Sequence, residues 1–238
     1  LRLAGSDVLP AGAAPLVATD VAIDVAGIVS RTTVVQRFVN PTAAWREGVY
    51  LFPLPEGAAV DHLRVESGGR VIEGRIQERA AAKKAYEAAK NEGRQAGLVE
   101  QERPNLFTTS VALLPPDAEV VVTIAFQETL RYDSGSFRLR FPLAVTPRYT
   151  GVGLDDRSGL AQAVADRKVE SDPEFLDASR ISPPFALPGD GATAPVTMSI
   201  TIDAGFPLAA VESTTHAIDV ETLADGRVHV ALADGVVP

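Results

Sequence analysis

Cysteine is absent from this 238-residue chain. Its absence excludes a disulfide scaffold, a zinc ribbon, an iron–sulfur cluster and a thiol nucleophile. Aromatic residues make up 6%, with a single Trp, and histidine occurs three times. No run of 18 apolar residues is present, so no segment reads as a membrane-spanning helix. A basic excess is missing as well. The 22 Lys and Arg against 31 Asp and Glu give a net charge of -9, which argues against nucleic acid as a partner because phosphate contacts need a basic surface. That imbalance is local. Residues 1–150 hold 17 basic and 17 acidic residues, whereas residues 151–238 hold 5 and 14. The opening Leu1-Arg2-Leu3 is neither an initiator Met nor a signal peptide, and the chain is expected to be an excised piece of something longer.

The chain does have apolar residues, at 46%, enough to offset the entropy of ordering it. They fall in short alternating runs between turn signals. Val21 to Val25 and Ile28 to Val39 flank Gly27 and read as a hairpin. Val49 to Phe52 is strand-like and stops at Pro53 and Pro55. Val60 to Glu66 and Val71 to Gln77 flank Ser67-Gly68-Gly69-Arg70, a turn suited to a tight hairpin. Leu106 to Leu114, Glu119 to Tyr132 and Ser136 to Leu143 are expected to form a three-strand meander through Pro115-Pro116-Asp117 and Asp133-Ser134-Gly135. One helix interrupts the pattern. Residues 78–92 are rich in Ala, Lys, Arg and Glu and stop at Gly93, a good residue for ending a helix. Residues 151–194 form an acidic Pro- and Gly-rich connection, with a short helix expected over Leu160 to Val169. Residues 195–238 return to strands, with a hairpin at Ala224-Asp225-Gly226. The fold class is therefore mainly β: an antiparallel sandwich over residues 1–150 with one inserted helix, plus C-terminal antiparallel strands. Those last strands either pack on the sandwich or form part of a second one.

Few residues invite a chemical role. His62, His216 and His229 lack metal-ligand spacing, and His229 alternates with Val228 and Val230 as a solvent-facing strand residue does. A hydrolase or transferase acting on peptide or glycan would have to use one of these three. However, no Gly-x-Ser-x-Gly elbow accompanies them. Asp155, Asp156, Asp166, Glu170, Asp172, Glu174 and Asp177 could bind calcium through oxygen, which would make the chain a calcium-stabilised adhesin module. Their spacing does not fit a known loop, and dispersed acids usually form a solvated surface. No catalytic residue, cofactor or metal ligand is assigned. Trp45, in a turn-like segment, is the aromatic expected to be exposed. It either anchors a partner or caps the core.

A series of residues exceeds what a β pattern requires. It runs through Phe38-Val39-Asn40-Pro41, Gly48-Val49-Tyr50-Leu51-Phe52-Pro53-Leu54-Pro55, Tyr86 to Gly93, Arg103-Pro104-Asn105-Leu106-Phe107 and Phe141-Pro142…Pro147-Arg148-Tyr149. From about Ala18 to Tyr149 the chain resembles the VIT (vault protein inter-α-trypsin) domain of inter-α-trypsin inhibitor heavy chains, which also occurs in bacterial envelope proteins. Asp117 departs from the family by standing where the turn often has Gly. The resemblance implies a non-enzymatic structural and protein-interaction module. Its expected partner is a downstream von Willebrand A domain of the same full-length chain, and its expected setting is extracytoplasmic: cell surface, periplasmic or secreted. On physical grounds Tyr50, Phe52 and Phe107 supply core area, Pro53 and Pro55 end a strand, and Arg103 and Arg148 are placed to hold loops.

Overall fold

A computed structural model describes residues 2–3, 12–13, 16–55, 57–74, 97–103, 106–142 and 194–236. Fifteen strands appear, in the order β1 (Arg2–Leu3), β2 (Gly12–Ala13), β3 (Leu16–Ala26), β4 (Val29–Val39), β5 (Arg46–Pro53), β6 (Ala59–Ser67), β7 (Arg70–Glu73), β8 (Gly97–Arg103), β9 (Leu106–Leu114), β10 (Glu119–Thr129), β11 (Arg131–Asp133), β12 (Ser136–Arg138), β13 (Val196–Asp203), β14 (Ile218–Thr222) and β15 (Val228–Leu232). They build a five-stranded sheet, β2-β1-β5-β9-β8, an eight-stranded sheet, β14-β15-β13-β3-β4-β10-β6-β7, and the separate hairpin β11-β12. The mainly β, sandwich-like expectation agrees with this. The helix expected over residues 78–92, the connection at 151–193 and its short helix lie outside the described residues.

Alternation explains the sandwich. On β3, Val21, Ile23 and Val25 are buried while Ala22 and Asp24 are exposed. On β10, Val120, Val122 and Ile124 point the same way. The second sheet contributes Tyr50 and Phe52 from β5. A ladder of rings crosses the layers: Phe38 to Tyr50 at 5.7 Å edge-on, Tyr50 to Phe52 at 5.9 Å, and Phe52 to Phe126 at 6.1 Å. Each such pair adds roughly 0.5–1.5 kcal/mol beyond its buried area. One polar chain runs through this core. The Tyr50 hydroxyl donates to Gln36 Oε1, and Gln36 Nε2 donates to Thr19 Oγ1 at 2.9 Å. Burial pushes the Tyr50 phenol well above its ordinary range, because the phenolate would lose its solvation.

Two departures from the sequence reading are topological. Of the meander expected over residues 106–143, the hairpin through Asp133-Ser134-Gly135 forms, as β11–β12, but the pairing through Pro115-Pro116-Asp117 does not. β9 pairs with β5 and β8 in one sheet, β10 pairs with β4 and β6 in the other, and β12 pairs only with β11 among the described strands. Pro115-Pro116-Asp117 is thus a crossing between layers. The C-terminal strands also differ in sense. β13 runs parallel to β3, from Val196 beside Thr19 to Asp203 beside Ala26, and only the β13-β15-β14 pairs are antiparallel. Thr19 N–H to the Pro195 carbonyl, 3.0 Å, and Gly27 N–H to the Asp203 carbonyl, 2.8 Å, close the two ends of the parallel pair. Thr197 Oγ1 donates to Asp20 Oδ1 at 2.6 Å between them.

Asn40 fixes the crossings. It is fully buried and lies where the chain leaves β4 for β5. Its Nδ2 donates to the carbonyls of Ala44 (3.0 Å) and Pro115 (2.7 Å). Its Oδ1 accepts from the Thr42 amide (3.2 Å) and hydroxyl (2.8 Å), and its own N–H donates to the Ala118 carbonyl at 2.9 Å. Asp117 N–H returns a bond to the Thr42 carbonyl at 3.2 Å. The β4–β5 and β9–β10 crossings are therefore joined to each other through one amide side chain. The β6–β7 turn joins the same node. Ser67 Oγ donates to the Glu119 carbonyl at 3.2 Å, and a Cβ built on Gly68 would lie 2.8 Å from Pro115 Cγ. Gly68 and Gly69, at φ +58 and +75, form the tight turn that this approach requires. Asp117 has φ 49, which explains why glycine suits that position and why Asp, which tolerates the left-handed region, can replace it.

Four outcomes are expected. Asn40→Ala should destabilise the fold by about 3 kcal/mol in urea unfolding, since it strands buried partners. Asn40→Asp should be worse at pH 7 than at pH 4, because a carboxylate facing carbonyls raises its own pKa on folding, so stability falls as pH rises through that range. Gly68→Ala should cost more than Gly69→Ala, about 2–3 against about 1 kcal/mol, because only the first meets Pro115. Tyr50, with its pKa above the unfolded value of about 10, keeps its contribution below that pH and loses it as pH rises through the folded value. An ultraviolet absorbance titration should therefore show one of the four tyrosines ionising only as the protein unfolds.

Candidate interaction surface

The three histidines occupy different places. His62 lies on β6 beside Ala125, and His229 lies on β15 between Thr201 and Glu221. Five strand spacings separate β6 from β15 in the sheet order, roughly 24 Å at about 4.8 Å each. His229 is half-buried rather than solvent-facing. His216 precedes β14 in a local turn, where its backbone N–H donates to Ser213 Oγ at 3.2 Å and the Thr215 amide to the same oxygen at 3.4 Å. The Ser213 hydroxyl thus serves the backbone.

The carboxylate beside His62 is also engaged. β6 carries one residue more than β10 between Val60, opposite Phe126, and His62, opposite Ala125. Asp61 is that extra residue, and such a bulge redirects its side chain. Asp61 Oδ2 accepts from Arg31 Nη1 and, at 2.7 Å, from Gln127 Nε2, which ties three strands together. Ser30 and Glu128 face each other across β4 and β10. Burial raises the Glu128 carboxyl, and Ser30 is fully buried, so no substrate can reach its hydroxyl in this conformation. At the β14–β15 turn Asp225 is paired with Arg227 at 2.7 Å, and hydrogen bonds from that residue lower its pKa. Among the described residues no three His, Asp or Glu converge to hold a metal ion. The acidic residues Asp155 to Asp177 lie outside the described residues.

Trp45 is 56% exposed. It sits on the β4–β5 crossing next to Ala44, whose carbonyl accepts from Asn40 Nδ2, while Thr42 donates its amide and hydroxyl to Asn40 Oδ1. The following residue, Arg46, is buried. The ring therefore projects from a loop with fixed neighbours on both sides. Sequence reasoning missed a second exposed aromatic group. Tyr132, at 63%, is more exposed than Trp45, and it joins Phe137 and Phe206 in a cluster. No local signal could have connected Phe206 to a hairpin some seventy residues earlier.

The remaining signature residues are framework where they are described. Phe38, Tyr50 and Phe52 are buried in the ring ladder. Gly48 is buried beside a register shift between β5 and β9. Pro53 is the last residue of β5, Pro55 and Pro142 are half-buried, and Pro41 is exposed. The backbones of Arg103 and Phe107 lie in β8 and β9, paired with Leu106 and Phe52. Tyr86, Gly93, Pro104, Asn105, Arg148 and Tyr149 lie outside the described residues.

Comparison with known proteins agrees with this framework. The model of the vault protein inter-alpha-trypsin domain matches residues 16–126, which span β3 to most of β10. Protein mono-ADP-ribosyltransferase PARP4 of Mus musculus is 28% identical over 185 residues, covering 77% of this chain and 9% of that protein. The von Willebrand factor A domain-containing protein 5A of Rattus norvegicus is 28% identical over 138 residues, 57% of this chain and 17% of that protein. Inter-alpha-trypsin inhibitor heavy chain H4 of Homo sapiens is 30% identical over 112 residues, 46% of this chain and 12% of that protein. The chain thus spans less than a fifth of the length of each of these relatives. Residues 16–126 are a vault protein inter-alpha-trypsin domain, and through it the chain is related to the inter-alpha-trypsin inhibitor heavy chains.

Proposed function

We propose that the chain is a non-enzymatic scaffold and protein-interaction module that docks a von Willebrand A domain of the same polypeptide, in an exported or cell-surface protein. The observation that carries this reading is Trp45, a large aromatic ring 56% exposed on a loop whose backbone is fixed by Asn40 and Thr42. A pre-ordered aromatic anchor of this kind loses little entropy on binding, and Trp is enriched among residues that dominate interfaces. Two facts favour the partner class. A relative's name records a von Willebrand A domain, and another relative is an inter-alpha-trypsin inhibitor heavy chain. The signature residues that are described serve architecture, and Asp61 Oδ2 and Ser213 Oγ are engaged by neighbouring strands and backbone, which favours a binding role over a chemical one. No helix of the described residues is long and apolar enough to cross a membrane.

The test is Trp45→Ala in calorimetric titration against the von Willebrand A domain of the full-length protein. Stability should change by no more than about 0.5–1 kcal/mol, as for an exposed side chain. Affinity should fall at least about tenfold, the loss expected of a central anchor. A wild-type chain that gives no binding signal contradicts the reading. So does a variant that binds normally, or one that loses several kcal/mol of stability because the ring caps the core.

A further inference from the structure

The hairpin β11–β12 stands apart from both sheets. Neither strand pairs with any other among the described residues, and all six strand residues are exposed. A two-stranded ribbon is marginal in water on its own. This one also carries an internal conflict, because Arg131 lies directly across from Arg138, and like charges in that position weaken a sheet. Arg138 leans instead toward Asp133, 3.7 Å away. On the opposite face Tyr132 packs on Phe137 with ring centres 5.0 Å apart, and Phe137 lies 6.1 Å from Phe206. The β3–β4 turn sits at the foot of the hairpin, where Leu130 N–H donates to the Ile28 carbonyl at 2.8 Å, and Ile28 and Val29 are exposed.

The turn geometry decides which backbone groups are open. Ser134 and Gly135 have φ 50 and 91, a two-residue turn of the kind that closes on a hydrogen-bonded pair. Asp133 and Ser136 therefore exchange bonds, as do Arg131 and Arg138. The N–H and C=O of Tyr132 face the other way, toward the unpaired edge of β11.

That edge complements itself. Set antiparallel against a second copy, with Tyr132 on a two-fold axis, Arg131 falls opposite Asp133 of the partner subunit, and Asp133 opposite Arg131 of the partner subunit. Tyr132 exchanges two backbone hydrogen bonds with Tyr132 of the partner subunit. The contact is isologous and closed, which is the commonest form of self-association. The edge strand β14 gives a contrast. Ile218-Asp219-Val220-Glu221-Thr222 paired with itself about Val220 sets Asp219 against Glu221 of the partner subunit, and such charges guard an edge.

We propose that the chain associates with a second copy of itself through β11. The two hairpins become one four-stranded sheet, with a continuous aromatic row on one face and alternating Arg and Asp on the other. The partner's carboxylate relieves the Arg131–Arg138 conflict. A three-residue edge with an aromatic flank buries less than a standard interface of about 1,600 Å², so the dimer is weak and concentration-dependent. It is independent of the partner-domain reading, because Trp45 plays no part in it.

Sedimentation equilibrium of the whole 238-residue chain, from micromolar to millimolar concentration, tests the proposal. The wild type should dimerise. Arg131→Asp and Asp133→Arg should each weaken association at least about tenfold, because each sets like charges opposite one another twice. The double variant R131D/D133R should restore it. Thermal melts of the single variants check folding, and both residues are exposed, so little change is expected. A wild type that stays monomeric at millimolar concentration overturns the proposal. So do single variants that associate normally, or a double variant that fails to recover.

Discussion

Asn40 joins two of the places where the chain passes between layers, the β4–β5 and β9–β10 crossings, and the rest of the architecture depends on that junction. A β-sandwich needs its sheets held at a fixed offset, yet the apolar contacts between them are non-directional. Direction comes from the buried amide, whose Nδ2 donates to a carbonyl on each crossing while its Oδ1 accepts from Thr42 on its own. Neither an acid nor an aliphatic side chain can replace it. An acid of the same shape supplies no donors when ionised, and an aliphatic side chain leaves backbone groups unpaired in a low-dielectric site. Ser67 and Gly68 bring a third turn to the same point, so β4, β5, β6, β9 and β10 share one node at one end of the sandwich.

From that node the two ends of the large sheet acquire different characters. The near end is stiff and presents Trp45 on a backbone it fixes. The far end carries the β3–β4 turn and the free hairpin β11–β12, whose exposed rings and arginines lie on opposite faces. The C-terminal strands extend the same sheet by parallel pairing with β3, so residues 194–236 share a continuous hydrogen-bonded surface with the domain that precedes them. Their polar attachment, Thr197 to Asp20, lies on the face where β3 alternates polar residues.

Much of the local structure was legible in the residues. Turns with glycine announced themselves at Gly68-Gly69 and at Gly226, and alternation marked Val21 to Val25 as a strand. What alternation cannot convey is which sheet a strand enters. Leu106 to Leu114 and Glu119 onward look like neighbours because a short Pro-rich link joins them, but that link changes layers, and the decisive contacts come from Asn40, some seventy-five residues earlier. The parallel pairing of β13 with β3 is illegible for the same reason, since nothing in Val196 to Asp203 specifies a partner 177 residues away. The interaction surface follows the same division. Trp45 could be singled out as the single tryptophan in a turn, whereas the Tyr132, Phe137 and Phe206 cluster exists only once the topology brings two distant segments together. Asn40 was visible as part of a motif, and only its geometry reveals why.

Native-state hydrogen exchange at two amides tests the central claim most directly. Asn40 N–H donates to Ala118 and Asp117 N–H to Thr42, one bond in each direction across the junction. If the junction is the constraint on which the sandwich depends, both amides exchange only through global unfolding, with the same opening free energy as the buried amides of β10. Exchange at either amide through a local opening, at a free energy well below that of β10, would show that the crossings move independently and would contradict the account.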